Sequence, residues 1–137
     1  MNPSLALVAN LLMETEDELK SLSEGPYHTA SMWYYAVDGI KCIHLQSIKV
    51  KKDAPAGTST SFMQDLIRIA DREDRWITLD VGSRDTATRK TDYKKTTSSG
   101  RLMRWYSSLG FRRNASKGLF QLRGTMHRAP NLKYKYH

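Results

Sequence analysis

The hydrophobic pattern of residues 42–81 changes period twice, and this stretch constrains the fold more than any other. Cys42–Val50 is rich in apolar and β-branched residues, which predicts a strand. Apolar residues then recur at helical spacing from Thr60 to about Arg72, and Trp76–Val81 returns to a strand pattern. Strands that alternate with helices are typical of the α/β class, so the sequence predicts an α/β fold with a mixed sheet.

Turn and cap signals divide the rest of the chain. Asn2-Pro3 is a helix-start pair, and Gly25-Pro26 ends that N-terminal helix. Asp38-Gly39 predicts a tight hairpin turn. The other predicted elements are a strand at Thr29–Val37, a helix at Ser99–Leu109 that Gly110 ends, and a last strand at Leu119–Met126. At 137 residues we expect one domain, 1–137, with a flexible basic tail at 131–137.

Composition excludes several classes of protein. The single cysteine, Cys42, cannot form an intramolecular disulfide, and its apolar surroundings predict a buried, inert thiol. A chain without disulfides suits the cytoplasm, which is where we expect the protein. No apolar run approaches the roughly 20 residues of a membrane span, so no membrane partner is expected. The spacing of His, Cys and carboxylates suggests no metal site.

Charge is distributed very unevenly. Residues 1–81 contain 8 Lys or Arg and 12 Asp or Glu, whereas residues 82–137 contain 14 Lys or Arg and 2 Asp. The net charge of +8 is therefore carried by the C-terminal part. Such a field favours anionic partners, such as coenzyme phosphates, nucleic acid or an acidic protein, although solubility alone is a second interpretation.

A loop of small residues precedes the helix that starts near Thr60. Gly57 permits close approach of a ligand to the backbone, and Ser59 or Thr60 could cap the helix. A helix N-terminus leaves about four N–H groups unpaired and favours anions. The loop is therefore a candidate phosphate-binding loop, and a purely structural turn is the alternative.

A second motif, Leu102-x-x-x-Tyr106-x-x-Leu109-Gly110-Phe111, follows in the chain. The loop Ala54-Pro-Ala-Gly57-Thr58-Ser59 and this motif, in this order, resemble the GNAT superfamily of acetyl-CoA-dependent N-acyltransferases. That family has an Arg/Gln-x-x-Gly-x-Gly/Ala pyrophosphate loop before a helix and a later Tyr-x-x-Leu-Gly-Phe segment. Ala54 and Ser59 depart from the loop pattern. The resemblance spans about residues 40–115 and implies a mostly antiparallel central sheet flanked by helices.

The resemblance implies roles for individual residues. The strand that contains Ile48 and Val50 would pair with the pantetheine arm of acetyl-CoA, and the loop would hold its pyrophosphate. Tyr106 would protonate the leaving thiolate, and a primary amine would attack the acetyl group directly. His44 is the candidate base, since histidine titrates near neutrality and its strand resembles that of the arylalkylamine acetyltransferases. His44 and Gln46 would share one strand face. The loop residues implied to bind the coenzyme are Ala54, Gly57, Thr58, Ser59 and Thr60.

The basic C-terminal part would flank the acceptor in such a fold, so an anionic or nucleic-acid-borne acceptor is a hypothesis. Its residues are Arg89, Lys90, Lys94, Lys95, Arg101 and Arg104. Two other functions stay open: a non-enzymatic nucleic-acid-binding module, and an inactive relative that binds a partner protein. Structural alternatives also stay open for His44, as a hydrogen-bonded strand residue, and for Tyr106, as core packing.

Overall fold

A computed structural model of the chain describes residues 16–81, 99–114 and 124–131. The N-terminal helix is described over 16–23 and is called α1; the start predicted at Asn2-Pro3 lies outside the described residues. The other elements, in chain order, are β1 (His28–Val37), β2 (Ile40–Val50), α2 (Thr58–Arg72), β3 (Trp76–Leu79), α3 (Ser99–Ser108), β4 (Arg112–Arg113) and β5 (Met126–Arg128).

The five strands form one mixed sheet in the order β1-β2-β3-β5-β4. β2 and β3 are parallel and are connected through α2, and the other three strand pairs are antiparallel. The hairpin predicted at Asp38-Gly39 is confirmed, with both residues at positive φ, 50° and 78°, as a two-residue turn of this kind requires. The predicted α/β class with a mixed sheet is confirmed.

A bulge in β2 sets the shape of the sheet centre. Ser31 pairs with Ser47 and Met32 pairs with Leu45, so Gln46 is the extra residue. The ladder between β2 and β3 ends one residue earlier, at Leu45 and Leu79, while β2 continues to Val50. The ladder stops there because β3 itself ends at Leu79, and the bulge bends β2 and increases its twist next to this point.

The bulge also overturns one expectation. The strict two-residue alternation assumed from His44 to Gln46 does not continue through the extra residue. His44 is buried, at 3% exposure, whereas Gln46 is exposed and accepts a hydrogen bond from the Ser31 hydroxyl.

The apolar core lies on one face of the sheet. The strands contribute only residues of that face to it: Ile43, Leu45, Ile77, Leu79 and Met126. Leu19 of α1, Leu66 of α2 and Tyr106 of α3 pack in the same cluster. All three described helices therefore cover this face, and the other face of the sheet carries a different set of side chains. Among the described helices, none has the length and apolar character needed to cross a bilayer.

A buried ion pair connects β5 with α2 and with the end of α3. Arg128 of β5 donates to both carboxylate oxygens of Asp71 on α2, at 2.6 and 3.3 Å, and to the Leu109 carbonyl after α3. The Asn131 backbone N–H donates to the same carboxylate. Asp71 is buried, so these bonds replace the water that its charge would otherwise hold.

Several predicted boundaries need correction. α2 begins at Thr58 rather than Thr60, and Gly57, at φ 88°, is its N-cap without any side-chain capping bond. The predicted caps Ser59 and Thr60 are thus inside the helix, because a left-handed Gly57 already turns the chain. β3 ends at Leu79 rather than Val81.

The last predicted strand is displaced. Thr125 and Gly124 precede β5, which begins at Met126, where the prediction ended; residues 119–123 lie outside the described residues. β4 was not predicted, because two exposed arginines have no strand signal of their own. Two expectations are confirmed: Gly110 ends α3 with φ 96°, and Cys42 is fully buried.

We expect the buried ion pair to matter far more than a surface one. Replacing Arg128 with Met should lower the free energy of unfolding by about 3–5 kcal/mol, because the Asp71 carboxylate loses its counterion. Replacing Arg72 with Met is the matched control. Its bridge to Glu18 joins side chains that are 42% and 38% exposed, so about 1 kcal/mol or less is expected. Urea unfolding measures both; equal losses would contradict the assignment.

Candidate functional site

A row of side chains crosses the whole sheet on the face opposite the helices. The strand register pairs Trp33 with His44, His44 with Thr78, Thr78 with His127, and His127 with Arg112. Directly paired residues point to the same side of a sheet, so these five form one continuous line, which we call the cross-sheet row. The row contains two histidines, which separates it chemically from the apolar face.

The centre of the row is a chain of buried hydrogen bonds. His44 Nδ1 lies 2.8 Å from Thr78 Oγ1, and the Tyr35 hydroxyl lies 2.8 Å from the same oxygen. Thr78 is fully buried and His44 is 3% exposed. A threonine hydroxyl has one proton to give, so the direction of this chain decides which imidazole nitrogen of His44 carries hydrogen.

Tyr35 also connects this series of hydrogen bonds to Cys42. Burial raises the pKa of the Cys42 thiol, against a hydrogen bond from Tyr35 that lowers it. Tyr35 and Cys42 are direct cross-strand partners. The net effect keeps Cys42 protonated at neutral pH, which agrees with the inert thiol expected from its apolar surroundings.

The second imidazole nitrogen of His44 faces a carboxylate. His44 Nε2 lies 3.8 Å from Asp80 Oδ2, and the Asp80 side chain is 48% exposed. The backbone of Gly124 packs against Leu79 and Asp80 next to this pair. A Cβ on Gly124 would lie 2.4 Å from the Leu79 carbonyl oxygen and 3.2 Å from Asp80 Oδ1, so only glycine fits. Asp80 therefore forms the solvent-facing end of a line that runs inward to His44, Thr78 and Tyr35.

His127 occupies the other side of Thr78. Its ring stacks on Trp76, with 5.5 Å between centroids, and its Nδ1 hydrogen-bonds the side-chain oxygen of Asn114. Burial, and then the nearby positive charge of Arg112, lower the pKa of His127, so it is neutral at neutral pH. Sequence reasoning found no role for this histidine.

The loop before α2 and the first turn of that helix differ in which backbone N–H groups are hydrogen-bonded. Thr58 gives both its backbone N–H and its hydroxyl to the Pro55 carbonyl. Its hydroxyl is thus committed to the turn. Among the described residues, the N–H groups of Ser59 and Thr60 have no hydrogen-bond partner. Ala54 of the predicted loop is buried, at 8% exposure. Two amides of the predicted anion site are therefore available, and its threonine hydroxyl at 58 is not.

Tyr106 lies in the core, on the face opposite His44. It is 7% exposed, and its ring meets the edge of Phe111 with 5.6 Å between centroids. Burial raises the pKa of its phenol, so it stays protonated at neutral pH. Its hydroxyl has no hydrogen-bond partner among the described residues. The two predicted catalytic residues are thus not in contact, because they lie on opposite faces of the sheet.

The remaining predicted residues are distributed as follows. Ile48 and Val50 pair with Ala30 and His28 of β1, in the part of β2 beyond its ladder with β3. Arg101 and Arg104 are exposed on α3. Arg89, Lys90, Lys94 and Lys95 lie outside the described residues. Within the described ranges, no three His, Cys, Asp or Glu side chains converge on a metal site.

Three residues of the site were missed by sequence reasoning: Tyr35, Thr78 and Asp80. Each is an ordinary member of a strand or a strand end, and no local motif marks it. The signal that unites them is the pairing of β1, β2 and β3, and the register of β3 depends on contacts with residues more than 30 positions earlier.

Comparison with protein families, with curated proteins and with solved structures gives no match for this chain.

Thr78 tests whether the buried hydrogen-bond chain is real. Thr78→Val keeps the side-chain shape but removes the oxygen shared by Tyr35 and His44. We expect a loss of about 1–3 kcal/mol in the free energy of unfolding, because two buried polar groups lose their partner. Thr78→Ser retains the hydroxyl and should preserve the side-chain 15N resonances of His44. A Val variant as stable as the parent would contradict this description.

Proposed function

We propose that the protein transfers an acetyl group from acetyl-CoA to a primary amine. The observation that carries the proposal is the end of the β2–β3 ladder at Leu45, next to the bulge, in the strand whose loop leads into α2. Since the two strands are parallel, their carboxyl ends lie at the same edge of the sheet. The loop into the N-terminus of α2 begins at this edge, His44 is in the third of the four β2–β3 pairs, and Asp80 directly follows the last one.

The loop offers an anion site of the right kind for a pyrophosphate. The amides of Ser59 and Thr60 point out of the first turn of a 15-residue helix, whose dipole favours negative charge. Gly57, in the left-handed conformation, has no atom within 4 Å of its missing Cβ, so the approach is open. Lys51 and Lys52 are exposed just before the loop and add positive charge.

In this proposal the reacting centre would lie where the β2–β3 ladder ends, within reach of both faces of the sheet. A base on the cross-sheet row, His44, would take the amine proton on one side. An acid in the core face, Tyr106, would protonate the leaving thiolate from the other side. The raised pKa of Tyr106 suits that role, because the phenol must still hold its proton when the thiolate forms. The segment of β2 beyond its ladder with β3 would bind the pantetheine arm, with Ile48 and Val50 in this segment.

Removing the phenol of Tyr106 tests the acid. Tyr106→Phe should lower the rate of acetyl transfer by about 10²–10⁴-fold, as for loss of a general acid, and leave stability nearly unchanged. Tyr34→Phe is the matched control, because it removes a buried tyrosine hydroxyl that has no partner among the described residues. Steady-state kinetics with acetyl-CoA measure both, and equal rates for the two variants would assign Tyr106 to packing alone.

A charge at the head of α2 tests coenzyme binding separately. Ser59→Glu adds a carboxylate that the helix dipole tolerates but that repels a pyrophosphate. We expect acetyl-CoA to raise the melting temperature of the parent protein and of Gln64→Glu, which adds the same charge to the exposed middle of α2. Ser59→Glu should lose that rise. The proposal fails if acetyl-CoA leaves the parent unchanged.

Exposed arginines favour a second candidate function, the binding of nucleic acid without catalysis. Residues 99–114 and 124–131 contain no Asp or Glu, and they expose Arg101, Arg104, Arg112 and Arg113. A surface with one sign of charge attracts polyanions whatever their sequence.

Salt dependence decides this second function. A binder of the phosphate backbone should hold duplex or single-stranded DNA at low salt, with an affinity that falls steeply and log-linearly as salt rises. Replacing Arg101 and Arg104 with Gln should make that slope shallower by about two contacts, in a gel-shift titration. An affinity that does not depend on salt, or no binding at low salt, removes this function.

A further inference from the structure

The two outer strands of the sheet differ in how they are protected against pairing with another strand. β4, at one edge, consists of two exposed arginines, and a strand so short and so charged resists further pairing. β1, at the other edge, has ten residues and contains no Asp, Glu, Lys, Arg or Pro. The bulge in this hairpin lies in β2, so β1 itself is regular. Among the described strands, β1 therefore has the edge that a further strand can join.

The register of the hairpin shows which backbone groups of β1 point outward. A two-residue turn makes Val37 and Ile40 a hydrogen-bonded pair, and along the ladder such pairs alternate with pairs that exchange no bonds. The N–H and C=O groups of Met32, Tyr34 and Ala36 therefore point away from β2. Within the part of the chain that the structure describes, no backbone hydrogen bond from outside the hairpin reaches these three residues.

The available part of this edge is confined to residues 32–36, which we call the open edge. Before it, the chain already folds back on β1, since the Gly25 N–H donates to the His28 carbonyl and Glu24 forms a bridge with Thr29. After it, β1 ends at the turn. The open edge is thus long enough for three outward-facing residues and has a defined beginning and end.

We propose that the open edge pairs with the open edge of a second copy of this chain, antiparallel and about a twofold axis at Tyr34. Tyr34 then lies opposite Tyr34 of the partner subunit, and Met32 lies opposite the partner's Ala36. Every outward-facing residue of both copies is matched, and each matched pair exchanges two N–H···O bonds. This is the self-complementary contact that a dimer with a twofold axis requires. Such a dimer does not depend on the proposed acetyl transfer.

The distribution of charge favours a second copy at this edge. The net charge of the chain is +8, so two copies repel one another wherever their basic parts meet. Arg112 and Arg113 lie on β4, four strand spacings or about 19 Å from β1. Pairing through β1 therefore keeps these arginines at the two far ends of the joined sheet. It also places no like charges opposite each other, because β1 contains no charged Asp, Glu, Lys or Arg.

A cavity beside the open edge leaves apolar surface for this contact to bury. The cavity has a volume of about 270 Å³, lies between α1 and β1, and is lined in part by Leu19, Met32 and Tyr34. Met32 and Tyr34 are only half-buried. In the proposed dimer their side chains lie beside those of the partner strand on the same face of the sheet, so part of the remaining apolar area is removed from water.

The association of the whole protein tests this contact. Sedimentation equilibrium between about 1 μM and 1 mM should show a monomer–dimer equilibrium. Ala36→Pro removes an outward N–H, and an edge strand tolerates proline at such a position. Because the twofold axis uses that N–H twice, the dimer Kd should rise about tenfold or more. Ala36→Val keeps the N–H and is the matched control, for which a change of less than about threefold is expected.

Hydrogen exchange locates the contact in the parent protein without any substitution. Peptides that cover 32–36 should gain protection as the concentration rises through the Kd, whereas peptides that cover β3, in the interior of the sheet, should not change. A chain that stays monomeric throughout the concentration range would overturn the proposal. So would an equal Kd for Ala36→Pro and Ala36→Val, protection of 32–36 that does not depend on concentration, or protection that grows at 112–113 instead.

Discussion

The parallel pairing of β2 with β3 is the constraint on which the rest of the molecule depends. Parallel neighbours need a crossover, and here the 15 residues of α2 supply it and cover the apolar face. The pairing holds for four residue pairs and ends where Gln46 bulges. β3 ends at Leu79 while β2 continues to Val50, and Asp80 and the loop into α2 follow these two carboxyl ends.

The two faces of the sheet are used for different purposes. The three described helices pack on one face, where burial of Ile43, Leu45, Ile77 and Leu79 supplies the hydrophobic driving force. The opposite face holds the cross-sheet row, whose polar groups tolerate burial only because they bond to one another. Thr78 is central to that balance, since its single hydroxyl serves both Tyr35 and His44. The hydrogen bond to Thr78 therefore holds the His44 imidazole in one position.

The buried pair of Asp71 and Arg128 fixes β5 beneath the carboxyl ends of α2 and α3. β5 is also the strand that places His127 beside Thr78 and Gly124 against Asp80. An interaction on the helix face thus positions groups on the opposite face, because a three-residue strand has little pairing energy of its own. The ion pair therefore supports the site without touching it.

The sequence by itself determined the elements whose signals are local. The Asp38-Gly39 hairpin, the amphipathic α2, the glycine that ends α3 and the buried Cys42 all depend on the dihedral preferences or hydrophobic spacing of neighbouring residues. The exact start of α2 was not predictable, since the left-handed Gly57 replaced a side-chain cap. Only the tertiary structure decided that Gln46 is the bulge, that His44 meets Thr78 and Asp80, and that Tyr106 faces the other way. Those outcomes depend on register between distant strands, and a shift of one residue would move every side chain to the other face.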